Sequence, residues 1–223
     1  MTAWTRVNIL AEGYSEVEYI KLALAPHLAT LQLEVSPIPV MTSRKHNKRG
    51  GVTRYAKVKK EIELLCKSQP DAYVSTMFDL FRLPTDFPDH SACVKLASAA
   101  AKAECLERAF ADDIAQGRFI PYVQLHEFEA LLYCDLDVLS PRIEGSSAGV
   151  DALKNEVAGL EPEDVNGGAA SSPSKRIIKH IPSYARNKRR VGGPAAAAIP
   201  LALAREKCPH FAAWLGRLES LAS

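Results

Sequence analysis

Residues 7–28 read VNILAEGYSEVEYIKLALAPHL, and the fold is decided in this stretch. Val7, Ile9 and Leu10 make a short apolar strand. Gly13 permits a sharp turn, and Ser15 with Glu18 three residues later has the form of a capping box that opens a helix. Val17, Ile20, Leu24 and Leu28 recur at helical spacing and give that helix an apolar stripe for the core. The turn leaves Glu12 at the carboxyl end of the strand and Glu16 in the first helical turn, where both can face one small volume. In an open α/β sheet, ligands bind at that edge. A plainer reading stays open: Glu16 only favours the positive end of the helix dipole, and Glu12 is a solvated turn residue.

Outward from this stretch the geometry repeats. Residues 33–40 predict a second strand whose Pro37 and Pro39 suit a sheet edge or a bend. Residues 42–52 predict a mobile basic loop, followed by a helix over 55–67. Residues 72–78 then form an apolar run suited to a strand buried on both faces, and it finishes in Asp79. Strand, helix, strand, helix, strand brings Glu12 and Asp79 to the same edge of a parallel sheet. After a rigid loop with Asp86, an Ala-rich helix is expected over 91–115 and a further buried strand over 119–125. That strand ends in His126-Glu127-Phe128-Glu129, with Glu127 the better placed to face the site and His126 more simply a structural histidine.

Carboxylates gathered in this way repel one another, and hard divalent cations with oxygen ligands resolve the repulsion. The residue types favour Mg²⁺ or Mn²⁺ over zinc. Beyond residue 135 the pattern changes to short helices and polar links. Residues 1–135 therefore read as the catalytic α/β core, and 136–223 as a helical extension packed on it. In that extension Gly192-Gly193-Pro194 is expected to interrupt the chain ahead of a helix over 195–207, and a closing amphipathic helix follows over 208–221.

Of the 223 residues, 47% are hydrophobic and 24% charged, which excludes a disordered tail or a fibrous repeat. No run approaches the ~18 apolar residues of a membrane span, and no signal-peptide layout opens the chain, so a cytoplasmic protein away from membranes is expected. The five cysteines are scattered and never paired as C-x-x-C, which argues for idle or packed thiols over a disulfide framework or a zinc site. A net charge of +2 hides segregation: 15 of the 28 basic residues lie in windows 43–60 and 175–190, neither of which holds an acid. Such windows suit contact with phosphates, through Arg44, Lys45, Lys48, Arg49 and Arg54 in the first and Lys175, Arg176 and Arg189 in the second. The alternative is a solvated basic face.

With ILAEGYSEVEYI, the Gly50, Gly51 and Tyr55 set, STMFDLFRLPTDFP, RFIPYVQLHEFEALLY, SPSKRI and CPHFAAWL on view, nearly the whole chain resembles an uncharacterised bacterial defence-associated family of the Toprim superfamily. The resemblance implies a Toprim-like, mostly parallel sheet flanked by helices, with a C-terminal helical extension. It also implies a metal-dependent nuclease of the overcoming-lysogenization-defect (OLD) kind, acting on DNA rather than RNA in antiphage defence or repair. A binding subunit without catalysis is the alternative. Glu12 matches the first acid of the Toprim motif, Glu16 the second acid of its OLD-type form, and Asp79 the first member of the D-x-D pair. Phe81 stands where the second aspartate would be, so Asp86 or Glu127 would have to replace that ligand. An ABC/SMC-type ATPase partner is implied for a chain without a P-loop. OLD-type enzymes are similar in carrying an essential lysine late in the chain, and Lys175 is expected to be that cation beside the scissile phosphate, against the alternative of a surface lysine.

Overall fold

The computed structural model describes residues 4–43, 48–49, 52, 54–81, 83–166, 168 and 171–222, with the backbone alone at 41–43 and 48–49. β1 (Thr5–Ala11) runs into α1 (Tyr14–Tyr19), which continues through a π-helical turn at Ile20–Leu24 into α2 (Ala25–Ala29). β2 (Leu33–Pro39) follows, then the antiparallel pair β3 (Met41–Ser43) and β4 (Lys48–Arg49), and α3 (Tyr55–Ser68). β5 (Tyr73–Asp79), α4 (His90–Cys93), α5 (Ala99–Ile114), β6 (Phe119–Ile120) and β7 (Val123–Gln124) complete the first part of the chain. The second part holds 3-10 segments at Phe128–Cys134, Leu136–Arg142 and Pro162–Asp164, with α6 (Ser147–Glu156), α7 (Pro173–His180), α8 (Tyr184–Ala197), α9 (Leu201–Lys207) and α10 (Pro209–Glu219).

The main sheet is parallel throughout, in the order β2-β1-β5-β6, with β7 also on β5. β2 is an edge strand, where the missing N–H groups of Pro37 and Pro39 break no central ladder. The register sets Ala11 opposite Met77 and Asp79 opposite Gln124, so β1, β5 and β7 finish along one rim. Helices cover both faces, as a parallel sheet requires. On one face α3 and α5 pack with Leu10, Val74 and Phe78, around the buried rings of Phe110, Phe87 and Phe119. On the other, Ile9, Met77, Tyr19 and Tyr122 share a core with Tyr184, Phe211 and Trp214 from beyond residue 135. Trp214 stacks on Tyr122 at 4.2 Å and donates its indole N–H to the Ser75 hydroxyl, 3.0 Å away. Among the described residues, no helix is long and apolar enough to cross a membrane.

Several local expectations need correction. The region 91–115 holds two helices, α4 and α5, and the turn between them brings Cys93 and Cys105 to a Cα separation of 5.5 Å in a disulfide. A spacing of 12 residues carries no local signal of that pairing. Cys66, Cys134 and Cys208 are free thiols, as expected of all five. The strand over 119–125 is split at Pro121, which has no N–H for the ladder, and the Thr76 hydroxyl bridges the gap through the backbone N–H and C=O of Tyr122. Gly13 precedes α1, but Ser15 forms no side-chain cap; it is buried inside the helix, and Glu18 pairs with Lys21 instead.

α8 runs unbroken through Gly192-Gly193-Pro194. Pro194 forfeits one backbone hydrogen bond, while the glycines let α8 lie directly on α1. A Cβ on Gly193 would stand 2.5 Å from the Ser15 carbonyl oxygen, and one on Gly192 would stand 2.9 Å from the Ser15 hydroxyl. Gly193→Ala should therefore push the two helices apart at a cost of about 1–3 kcal/mol, the usual range for overpacking. A melting curve should fall by roughly 2–12 °C, at about 2–4 °C per kcal/mol for a chain of this size. Gly216→Ala in α10, where an added Cβ meets nothing within 4 Å, should leave the melt unchanged or raise it.

Candidate active site

The chain leaves β1 at Glu12, whose N–H donates to the Met77 carbonyl at 3.1 Å and whose Oε2 accepts the Asp79 backbone N–H at 3.0 Å. The end of β1 is thereby tied to the end of β5 through a carboxylate. The Val52 backbone N–H also reaches the Glu12 carboxylate, which anchors the exit of the basic segment to the same acid. Asp79 accepts the Phe128 N–H on Oδ1 at 2.8 Å, linking β5 to the segment after β7. Glu12 and Asp79 are thus both held by backbone amides.

Glu16 stands in the first turn of α1 with 6% of its surface exposed. Gly13 has an extended backbone, and its role is space: a Cβ there would lie 2.8 Å from the Glu16 Oε2. Burial, together with the nearby Glu129 and Glu12 carboxylates, pushes Glu16 up to about 8. Burial and the charges of Glu12, Glu16 and Glu129 hold Asp79 well above the usual carboxylate range. Glu12 is raised by burial, against the opposing pull of its amide donors. The rim of the sheet thus stores unfavourable negative charge.

Glu129 and Lys188 answer part of it. Glu129 is fully buried, accepts the Tyr184 hydroxyl at 3.0 Å and pairs with the Lys188 ammonium at 2.9 Å. Burial opposes the charge on Lys188, but Glu129, with Asp79 and Glu127 behind it, raises its pKa overall. Lys188 also lowers Glu12, Glu16 and Asp79. Above these groups opens a cavity of about 800 Å³, lined by Glu12, Glu16, Asp79 and Lys188, with Pro37 and Pro39 from β2 and Tyr14 and Arg189. That volume falls within the roughly 300–1,000 Å³ of small-molecule sites.

The structure thus brings Glu12, Glu16 and Asp79 together. Glu127 is close enough for its charge to act on Glu12 and Lys188, but its Oε2 accepts the Ser174 N–H at 2.8 Å at the start of α7. Of the two glutamates after β7 it is Glu129 that pairs with the lysine at the rim. Asp86 is not brought there: both its oxygens accept the Tyr55 N–H, at 3.0 and 3.1 Å, and cap α3. Lys175 is exposed on the first turn of α7 and does not line the cavity. Arg176 is paired with Glu156, Arg54 is exposed ahead of α3, and Arg189 stands at the cavity. Arg44 and Lys45 lie outside the described residues, as do the side chains of Lys48 and Arg49.

Glu129, Tyr184 and Lys188 were not among the residues picked out from the sequence. One signal for the last two was present. Tyr184, Lys188, Val191 and Ala195 keep helical spacing across the Gly-Gly-Pro, and reading that helix as continuous places Lys188 on its inward face.

Oxygen donors in excess of neighbouring cations suit a hard divalent ion. Among the described residues, however, no three His, Cys, Asp or Glu side chains are grouped closely enough to hold an ion as they stand. A metal would have to draw the carboxylates together.

A parallel sheet between two helical layers, with acids along its carboxyl rim, is consistent with a Toprim-like α/β fold. The chain belongs to the family described as "Domain of unknown function (DUF4276)", which matches residues 11–219. No curated protein matches it. Among solved structures the chain is similar to the C-terminal region of the Xanthomonas campestris pv. campestris OLD protein, phased with iodine, at 14% identity and a TM-score of 0.43 over 98% of this chain and 96% of that one. The same region phased with platinum gives 14% and 0.42 over 95% and 94%.

Proposed function

We propose that this protein is a divalent-metal-dependent nuclease that hydrolyses phosphodiester bonds of DNA in a defence or repair system, in concert with an ABC/SMC-type ATPase. The observation that carries the reading is the set of repelling carboxylates Glu12, Glu16 and Asp79 lining one cavity with the basic Lys188 and Arg189. Acids kept above their usual pKa against one lysine are poised to gain from a cation, and the basic residues suit a phosphate. The motif resemblance of Glu12, Glu16 and Asp79 points the same way, and the ATPase partner rests on that resemblance alone.

Glu12, Glu16 and Asp79 would hold Mg²⁺ or Mn²⁺, whose chemistry when bound is to activate water and stabilise the leaving oxygen. The chain's own residues do the rest. The amides of Asp79, Val52 and Phe128 fix the carboxylates, and Lys188, oriented by the fully buried Glu129, offers a preorganised cation for charge that grows on the phosphate. We place this role on Lys188 rather than Lys175, because Lys188 pairs with Glu129 and lines the cavity beside the acids, and Lys175 does not line it.

Purified protein should cleave plasmid or single-stranded DNA with Mg²⁺ or Mn²⁺, and both Glu12→Ala and Asp79→Ala should lower the rate by at least about a hundredfold while remaining folded, since each removes a repelling charge. Full activity in both variants would overturn the proposal. Phe81 at the second D-x-D position and the lack of a ready-made three-acid ligand set among the described residues favour a second reading. In it the chain is a non-catalytic subunit, and wild-type protein binds DNA or an ATPase without cutting under any metal.

A further inference from the structure

Tyr14 is the first residue of α1 and lines the cavity beside Glu12 and Glu16, yet 49% of its surface is exposed. The guanidinium of Arg189 lies over its ring, 5.5 Å from the centroid. Arg189 comes from α8, one residue after Lys188, so the helix that brings a cation to the acids also seats a planar cation on this ring. The Glu129 partner of Lys188 and the contact of Gly192 and Gly193 with Ser15 fix α8 against α1. The ring and the guanidinium therefore stand in a set relation to the carboxylates. Arg189 lies over one face of the ring, and half of the residue's surface remains exposed to meet a second planar group. Pro37 and Pro39 supply an apolar wall to the same cavity.

Acids and a lysine need only a phosphate and have no use for an exposed aromatic ring. A ring backed by an arginine at the mouth of a phosphate site matches the chemistry of base stacking, in which an aromatic face takes any base and an arginine adds a cation–π contribution. Bases offer their faces only when unpaired. We propose that Tyr14, backed by Arg189, is a stacking platform for a nucleobase next to the scissile phosphate, so that the chain takes its substrate from single-stranded or locally unpaired nucleic acid. The inference rests on the nuclease reading and adds the substrate class to it.

The test is fluorescence anisotropy in EDTA with labelled oligothymidylate, an abasic strand of the same length and a duplex. Wild type should bind oligothymidylate more tightly than the abasic strand. Tyr14→Ala should lose about 5- to 100-fold on oligothymidylate, which at about 1.4 kcal/mol per decade is the roughly 1–3 kcal/mol of one stacked base. It should change abasic and duplex binding less than twofold, and Tyr14→Trp should restore the preference. Because Tyr14 is half exposed, circular dichroism of the alanine variant should match wild type. Strands bound equally with and without bases, or an alanine variant within twofold of wild type on oligothymidylate, would overturn the platform and leave the nuclease reading standing. Failure to bind any of the three probes, both in EDTA and with Ca²⁺ in its place, would overturn both.

Discussion

Lys188→Ala is expected to be the most damaging single change at the site. Its partner Glu129 is fully buried and also accepts the Tyr184 hydroxyl. Removing half of a buried pair strands a charge and costs about 3–5 kcal/mol. The ammonium here is itself 40% exposed, so the lower end applies, at about 3 kcal/mol. The melting temperature at pH 7 should fall by roughly 6–12 °C. Glu12, Glu16 and Asp79 lose the cation that tempers them, so their protonation should rise in the variant as well. Adding Glu129→Gln to Lys188→Ala should restore much of the stability, because it removes the charge stranded at position 129. It should not restore cleavage. Lys175→Ala, an exposed change away from the acids, should melt with wild type. Equal melts for Lys188→Ala and Lys175→Ala would remove Lys188 from the site.

Metal-free wild type is expected to lose stability as pH rises from 5 to 8, the opposite of a protein whose carboxylates are ion-paired. Unfolded, Glu16 gives up its proton near the usual 4.5; folded, it keeps it to about 8. Across that window the folded state binds more protons than the unfolded one, so stability falls with pH and the whole loss is in place above the folded value. At about 1.4 kcal/mol per pH unit the ceiling is ~5 kcal/mol, and sharing of protons among the coupled acids brings it to about 2–4 kcal/mol. Melts in EDTA should drop by roughly 4–16 °C between pH 5 and 8. Glu16→Gln should flatten most of that slope, melting above wild type at pH 8 and close to it at pH 5. If the acids hold Mg²⁺ or Mn²⁺, adding the ion at pH 8 should stabilise wild type and act less on Glu16→Gln. A melting temperature that stays level or climbs over this range in EDTA would sink the argument.

Most of the sheet was legible because its signals are local. The apolar run at 72–78 suited a strand buried on both faces of a parallel sheet, and the two prolines of β2 suited an edge or a bend. Once strands alternate with helices, chain direction is settled, so Glu12 and Asp79 had to reach one rim. The capping box, the single helix over 91–115 and the break at Gly192 all failed for another reason. The first and last were local signals overruled by a partner distant in sequence, since Ser15 packs under α8 and the two glycines serve that interhelical contact, while the second missed a turn that brings Cys93 to Cys105.

The sequence by itself determined the parallel α/β frame and the approach of Glu12, Glu16 and Asp79 to one another, because strand direction and helical period follow from neighbours a few residues apart. Tertiary structure alone decided which groups answer those charges. Glu129 rather than Glu127 turns toward the lysine because the 3-10 turn at Phe128–Cys134 aims it there while Glu127 is taken by the Ser174 amide. Lys188 rather than Lys175 reaches the acids because α8, through Gly192 and Gly193, lies directly on α1. That contact joins residues more than 170 positions apart, and no local pattern encodes a distance between two helices.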